Sequence, residues 1–208
     1  MPGLFILYTT ENIEMTENDL YTYHEVTFKP IYADLVAVLG NKPERIAFEL
    51  EAALSHIAVA HTKRELFDEN IQKAFDHLQR ASLDAAKILW LSYKERAEEI
   101  IKDEYIRTFA ANISEKELLN QFFEAEKKAK EARKHELENT GENPSASINL
   151  YYEAANLFCE VVSHIDIDKK DKLRKFSSII KRKEVIISFI VGLLSSAAVS
   201  ILIELIWQ

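Results

Sequence analysis

Four polar residues in the middle of the chain have types and a spacing that could do chemistry. Asn70, His77 and Asp84 are seven residues apart, so on a helix they lie nearly above one another. Arg80 lies three residues after His77 and four before Asp84, close enough for an ion pair with Asp84. In a groove, the histidine could act as acid or base while the arginine binds phosphate. The alternative is a hydrogen-bonded network that fixes helix register, or a solvated flank, and we favour it because one histidine is not a catalytic constellation.

The other patterns that could carry chemistry fail. His56 and His61 are five residues apart, which places them poorly for sharing a metal on one helical face. The sequence contains no HExxH, P-loop, dinucleotide-binding, GxSxG or ExxH pattern. Cys159 is the single cysteine, so a multi-cysteine zinc site is excluded, and its apolar neighbours favour a buried, unreactive thiol. We therefore expect no enzyme activity, no metal and no cofactor.

Long helices must position these residues. Hydrophobic residues make up 48% of the chain, and only four glycines and four prolines interrupt it, which favours an all-α fold. A capping box at Ser114 and Glu117 marks the start of one helix. We expect one antiparallel helical bundle over residues 31–168. The apolar spacing predicts its helices at about 31–39, 43–63, 66–111, 114–141 and 147–165.

Residues 1–30 form an N-terminal arm whose structure the pattern leaves open. Its runs Leu4–Thr10 and Tyr21–Phe28 are rich in aromatic and β-branched residues, which is compatible with a short strand or hairpin. An irregular arm or a short helix fits these runs equally well.

The second half of the fourth predicted helix, residues 124–138, is charged almost all round. Such a run is typical of a solvated or projecting helix, supported by pairs four residues apart such as Glu126 and Lys130. If the chain recruits a protein partner, this exposed helix is one place where the partner could dock.

A run of nineteen residues without a formal charge, Val185–Ile203, predicts a C-terminal transmembrane helix over 185–207. At ~1.5 Å per residue the run spans roughly 28 Å, close to the ~30 Å of a hydrocarbon core. Small residues recur every four positions at Gly192, Ser196 and Ser200, a pattern that permits close helix approach and homo-oligomerisation. Small residues are also common in membrane helices generally, so both interpretations stay open.

The charge of the chain is divided unevenly along its length. Residues 169–184 carry eight Lys/Arg against two acidic residues, for +6, and Glu204 is the single charge after them. Because the whole chain carries −8, residues 1–168 carry −13, which disfavours binding of this acidic head to nucleic acid. The basic segment should bind the anionic headgroups of a bilayer and keep the N-terminal body in the cytoplasm, at the inner membrane if the cell is bacterial. Its cations are Lys169, Lys170, Lys172, Arg174, Lys175, Lys181, Arg182 and Lys183.

The helix with the polar line carries an A-x-x-H-L-x-R-A-x-x-D run made by Ala74, His77, Leu78, Arg80, Ala81 and Asp84. This run resembles the alanine-rich amphipathic helices of HEPN-type bundles in prokaryotic immunity and toxin systems. The resemblance covers about residues 43–165 and implies a HEPN-like bundle with a membrane anchor, of antiviral defence type. The family's ribonuclease signature is an Arg, a polar residue and a His four to six intervening positions after the Arg, and no Arg here has such a His. The resemblance therefore implies a non-catalytic, membrane-bound relative.

Three functions fit these features. The first is a non-enzymatic effector whose membrane helices oligomerise and perturb the bilayer. The HEPN resemblance implies that such an effector would act in antiviral defence. The second is a membrane-anchored adaptor or scaffold that recruits a partner through residues 124–138 or through the N-terminal arm. The third is a degenerate or atypical HEPN-like nuclease that uses His77, Arg80 and Asp84.

Overall fold

All regular structure in the described part of the chain is helical. The computed structural model describes residues 15–141 and 143–176, which contain no β-strand, and this confirms the all-α class. The α-helices are α1 (Glu17–Tyr23), α2 (Lys29–Leu39), α3 (Glu44–Thr62), α4 (Phe67–Lys102), α5 (Glu104–Phe109), α6 (Glu115–Glu138) and α7 (Ser145–Ser163). A π-helical turn, His24–Phe28, joins α1 to α2, and residues 167–176 are also helical.

The chain from residue 17 to residue 39 is continuously helical. The strand or hairpin interpretation of Tyr21–Phe28 is therefore wrong, and the short-helix interpretation is right. Thr16 and Asp19 form a capping box that starts α1: the Thr16 hydroxyl accepts from the Asp19 N–H at 3.2 Å, and the Asp19 carboxylate accepts from the Thr16 N–H at 3.0 Å. The apolar residues that follow are buried at three- to five-residue intervals, since they face one side of a helix rather than alternating as in a strand. The run Leu4–Thr10 lies outside the described residues.

α4 is the central helix of the bundle. It packs against α3, α7 and α2, while α6 packs against α7. Ala74, Ala81 and Ala85 of α4 are fully buried, and their small side chains allow neighbouring helices to approach closely. On α7, the Tyr151 ring meets Trp90 of α4 at 5.2 Å between ring centroids, so this helix fills the space between α4 and α6. The predicted helical bundle is confirmed for the described residues.

The helix predicted over 66–111 is divided in two. α4 ends at Lys102, Asp103 adopts an extended backbone (φ −96°, ψ 102°), and α5 begins at Glu104. The Asp103 side chain accepts a hydrogen bond from the Ile106 N–H at 3.1 Å, so this aspartate caps a new helix instead of continuing the old one. Glycine and proline are not needed for such a break, because an aspartate that bonds to the backbone competes with the helical hydrogen bonds.

α6 buries one face although its sequence is highly charged. Its N-cap is Ser114, as predicted, with the hydroxyl accepting from the Glu117 N–H at 3.2 Å. Ala125, Ala129 and Ala132 are almost completely buried, and α6 packs mainly against α7. The expectation of a solvated outer face is correct, but α6 does not project from the bundle.

Within the described residues, no helix is both long enough and apolar enough to span a bilayer. The predicted transmembrane helix at 185–207 lies outside these residues, together with its small residues at 192, 196 and 200. The cations predicted at 181, 182 and 183 lie outside them as well.

Candidate functional site

The polar line predicted on α4 lies where α4 packs against α3. Asn70 and Asp84 are buried, His77 is half-buried, and Arg80 is exposed. The structure thus places three of the four residues in one helix–helix contact. Arg80 makes no ion pair with any residue in the ranges 15–141 and 143–176.

Asn70, His77 and Asp84 each find a partner on α3. Arg45 Nε lies 2.6 Å from Asp84 Oδ2, so the predicted Arg80–Asp84 pair is wrong. His77 Nδ1 donates to Glu49 at 2.7 Å. The partners run in opposite order along the two helices, which makes α3 and α4 antiparallel.

A third contact between α3 and α4 involves a second histidine. We call the three contacts Arg45–Asp84, Glu49–His77 and His56–Asn70 the polar ladder. His56 Nδ1 donates to Asn70 Oδ1 at 2.9 Å, and the Asn70 amide donates to the Leu66 carbonyl at 2.9 Å. The His56 and His77 rings stack with centroids 5.3 Å apart. Because both ends of the Asn70 side chain and one nitrogen of each imidazole are engaged, the ladder is suited to holding α3 in register on α4.

Asp84 has the electrostatics of a structural group. Burial raises its pKa, and the neighbouring Arg45 guanidinium opposes that rise. The carboxylate faces one arginine whose side chain is 75% exposed, and it has no histidine partner. Asp84 therefore pairs with neither His77 nor Arg80, the two residues with which the nuclease hypothesis had grouped it.

A second polar arrangement lies between α4 and α6, where the sequence pattern had indicated a solvated helix face. The two helices barely touch, and they enclose an open groove of about 570 Å³. Its lining residues come from both helices: Trp90, Lys94, Glu126, Ala129, Lys130, Arg133, Lys134, Leu137 and Glu138.

Trp90 is the unusual member of the groove. Its side chain is only 8% exposed, yet its indole N–H has no hydrogen-bond acceptor among the described residues. An unsatisfied buried donor of this kind costs about 1–3 kcal/mol, so native proteins rarely retain one without reason. The indole nitrogen is itself buried, so it is not exposed to a ligand in the groove.

Two ion pairs connect α4 to α6. Lys94 lies 3.9 Å from Glu126, which replaces the Glu126–Lys130 pair predicted along α6. Lys87 pairs with Glu136, and the Tyr151 hydroxyl donates to the same carboxylate at 2.7 Å. Burial would raise the pKa of Glu136, but the hydrogen bonds from Lys87 and Tyr151 outweigh it and lower this pKa.

The groove carries an excess of positive charge. Four cations line it against two carboxylates. Lys130 and Arg133 are exposed and have no ion-pair partner within the described residues. A cationic rim beside an apolar floor fits an acidic ligand that also presents an apolar side chain.

The cations predicted to bind headgroups are only partly available in the described segment. Lys169 pairs with Asp166 at 3.4 Å, and Arg174 pairs with Glu99 of α4 at 3.1 Å. Lys172 is exposed. The segment 167–176 is therefore tied to the bundle by at least one of its basic residues.

Cys159 is half-buried rather than fully buried, beside Tyr93 of α4. Burial, followed by a hydrogen bond with Cys159, raises the pKa of Tyr93 to about 12. The described residues contain no group of three His, Cys, Asp or Glu side chains arranged to hold a metal ion.

No family model, curated protein or solved structure matches this chain. The HEPN resemblance therefore stays a prediction. The fold defines an all-helical bundle, and a function has to be argued from the surfaces of that bundle.

Proposed function

We propose that this protein is a membrane-anchored, non-enzymatic adaptor whose helical head binds an acidic segment of a partner protein in the groove between α4 and α6. The observation that carries the proposal is a groove with a cationic rim beside apolar side chains, where Lys130 and Arg133 have no ion-pair partner among the described residues. Lys130 and Arg133 would neutralise acidic side chains of the partner.

The shape of the groove favours a peptide over a small ligand. It is open along one side, whereas small-molecule sites usually enclose most of the ligand. Leu137 is 68% exposed at the rim, and it offers the apolar surface on which a side chain of the partner would pack.

The membrane part of the proposal is supported by sequence. Residues 185–203 are uncharged over nineteen positions, and a basic segment precedes them. The proposal places the head on the cytoplasmic side, where it would concentrate its partner at the bilayer.

The test uses the full chain in its membrane with a photo-crosslinking amino acid in place of Leu137. We expect adducts with one partner whose crosslinked peptide, identified by mass spectrometry, is acidic. Changing Lys130→Glu and Arg133→Glu together should abolish these adducts, because the rim would then repel an acidic segment. The matched control is Lys42→Glu with Lys116→Glu, two exposed lysines outside the groove, which should leave them intact. Adducts that survive Lys130→Glu with Arg133→Glu, or a crosslinked peptide that is not acidic, would reject the proposal.

The second candidate is the membrane-perturbing effector, and the small-residue pattern at Gly192, Ser196 and Ser200 favours it. A role in antiviral defence rests on the HEPN resemblance alone. Induction of the full chain should then make cells permeable to a small dye, and Gly192→Leu with Ser196→Leu should prevent this. Permeability that is unchanged on induction argues against the effector.

We do not propose nuclease chemistry. His77 and Asp84 are each held by a side chain of α3, and Arg80 lies outside the ladder.

A further inference from the structure

Three large apolar side chains lie exposed at the end of the bundle where α4 and α7 finish and α6 begins. Tyr105, Phe109 and Ile167 are 63%, 61% and 72% exposed. The rings of Tyr105 and Phe109 stack with centroids 6.5 Å apart. Single exposed apolar residues are common on protein surfaces, whereas contiguous exposed apolar patches mark interaction surfaces.

Backbone hydrogen bonds hold the cluster together across two parts of the chain. The Asp166 N–H donates to the Ala110 carbonyl at 2.9 Å, and the Asn112 N–H donates to the His164 carbonyl at 2.8 Å. These bonds bring the backbone that follows Phe109 beside the backbone that precedes Ile167, although 58 residues separate the two in the sequence. We call Tyr105, Phe109 and Ile167 the end patch.

The core beneath the end patch is well packed. Ile106, Ala110 and Ile165, which lie within two residues of the patch residues in the sequence, are buried. The backbone that carries the exposed side chains is therefore held in place by buried neighbours, so the exposure of these side chains is a property of the fold.

The length of the following chain limits how far the end patch can lie from a membrane. Eight residues separate Phe176 from Val185, where the uncharged run begins. Fully extended, the nine Cα–Cα steps from Phe176 to Val185 span at most about 30–32 Å. If the run spans a bilayer, the chain tethers Phe176 within that distance of the bilayer surface, and the Arg174–Glu99 pair holds the helix 167–176 near the C-terminal end of α4.

The side chains in and around the end patch suit that surface. Tyrosine is enriched at the lipid–water boundary, where its ring contacts acyl chains and its hydroxyl contacts water. The segment 166–176 carries five Lys/Arg against three Asp, so it is net positive where most of the head is negative. Lysines near anionic headgroups contribute about 1 kcal/mol each.

We propose that the end patch is a lipid-contacting surface that seats the helical head on the headgroup region of the bilayer. The proposal rests on the membrane anchor of the proposed function, but it adds a second, shallow contact made by the head itself. Because this contact fixes the orientation of the head, the α4–α6 groove would have one defined direction relative to the membrane.

The test measures quenching of tryptophan fluorescence by brominated lipid in the full chain. The protein is reconstituted into phosphatidylcholine bilayers with a minority of phosphatidylglycerol, brominated at a shallow or a deep acyl position. The native residues Trp90 and Trp207 are replaced by Phe, and one reporter is introduced as Phe109→Trp or as Ile167→Trp. The matched control reporter is Phe48→Trp, which replaces a side chain of α3 that is 66% exposed outside the end patch.

We expect loss of fluorescence and a blue shift for Phe109→Trp and Ile167→Trp, with shallow bromine quenching more than deep bromine, and no loss for Phe48→Trp. Two end-patch reporters are used so that a folding defect in one variant leaves the other to decide. Unquenched end-patch reporters would overturn the proposal, including the case in which a blue shift shows that protein covers the patch. Equal quenching of Phe48→Trp would overturn it as well, because the head would then lie on its side.

A parent chain that keeps Trp207 and carries only Trp90→Phe reports on the anchor by itself. If Trp207 is quenched and the end-patch reporters are not, the anchor holds and the end-patch proposal fails. If Trp207 is not quenched either, the membrane anchor of the proposed function has failed.

Discussion

Two carboxylates, Glu136 and Asp84, are held between helices in opposite electrostatic conditions. Glu136 accepts from Lys87 and Tyr151, and these bonds lower its pKa in spite of burial. Asp84 has one partner, the exposed Arg45, and burial raises its pKa. The two residues should therefore respond in opposite ways to pH and to removal of their charge.

Replacing Glu136→Gln should destabilise the head by about 1–3 kcal/mol at neutral pH, because Lys87 loses its anion and the Tyr151 hydroxyl loses a charged acceptor. A lowered folded-state pKa means that the stabilisation is complete above the unfolded-state pKa and is lost as pH falls through the folded-state value. The acid-induced loss of stability below about pH 4 should therefore be smaller in the variant than in the parent. Urea unfolding followed by circular dichroism at neutral and acid pH measures both effects.

Replacing Asp84→Asn should change stability at neutral pH by less than about 1 kcal/mol, because the remaining Arg45 is exposed and keeps its hydration. Replacing Arg45→Ala should be worse, since it leaves a buried carboxylate without its cation. Because the folded-state pKa of Asp84 is raised, the free energy of unfolding falls as pH rises from the unfolded-state pKa through the folded-state pKa. Asp84→Asn should remove this fall in stability, since asparagine does not ionise. Urea unfolding followed by circular dichroism measures the stability of Asp84→Asn and of Arg45→Ala relative to the parent. If Asp84→Asn is more damaging than Arg45→Ala, the structural role assigned to this pair is wrong.

Residue spacing located the polar line on α4 but could not give its partners. Asn70, His77 and Asp84 share one face of α4 because residues seven apart are separated by nearly two full helical turns. Their partners lie on α3, and Arg45 is 39 residues from Asp84 in the sequence. Local pairing rules favoured Arg80 because they consider only one helix.

The α4–α6 groove was missed for a related reason. Lys130 and Arg133 belong to a run that is typical of a solvated face, and nothing in their spacing indicates a groove. The signal that could have pointed to it is Trp90, the one tryptophan before the apolar C-terminal run. A large aromatic residue at the edge of an apolar stripe is typical of an anchor for a neighbouring element or a partner.

α6 shows how packing can be hidden by charge at the scale of the element. Its buried positions are mostly alanines, which allow α7 to approach but add little to an apolar pattern. Its exposed positions carry the charges that dominated the prediction of a solvated helix. The helix itself was predictable from its capping serine and composition, but its packed face was not.

Replacing Ala132→Leu in the middle of that face should destabilise the head by about 1–3 kcal/mol, because the larger side chain has no space against α7. Ala132 is completely buried. The control is Lys127→Leu on the same helix, which is exposed and should stay within about 0.5 kcal/mol of the parent. Chemical unfolding measures the difference, and equal stability of the two variants would mean that α6 is not packed on α7.

The ends of elements were less predictable than their existence. The absence of glycine and proline predicted one helix through residue 111, but Asp103 ends α4 by capping α5. At Tyr21–Phe28, β-branched and aromatic residues suggested a strand, yet they fall at helical intervals and α1 begins with a capping box. The structural context overrides a weak helix preference at Asp103 and a weak strand preference at Tyr21–Phe28.

At the scale of the whole molecule, net charge and hydropathy differ strongly from one part of the sequence to the next. The acidic residues 1–168 carry −13, which keeps the head soluble and away from anionic surfaces in general. The basic segment 169–184 and the end patch are the places where the proposed membrane contact could overcome that repulsion. A head so charged would need the uncharged run at 185–203 to stay at a bilayer, so the location of the protein should depend on that run.

Replacing Leu193→Arg together with Leu194→Arg should release the protein from membranes. Each arginine at the centre of a membrane-spanning helix costs about 2.5–3.5 kcal/mol, so two of them oppose insertion strongly. The parent chain should remain in the membrane pellet after extraction with alkaline carbonate, and the double variant should not. The control is Phe48→Arg with Leu54→Arg, which adds the same charge at exposed positions of α3 and should stay in the pellet. If the parent is extracted, the anchor does not exist; if the double variant resists extraction, contacts of the head hold the protein at the membrane, and the uncharged run is not what localises it.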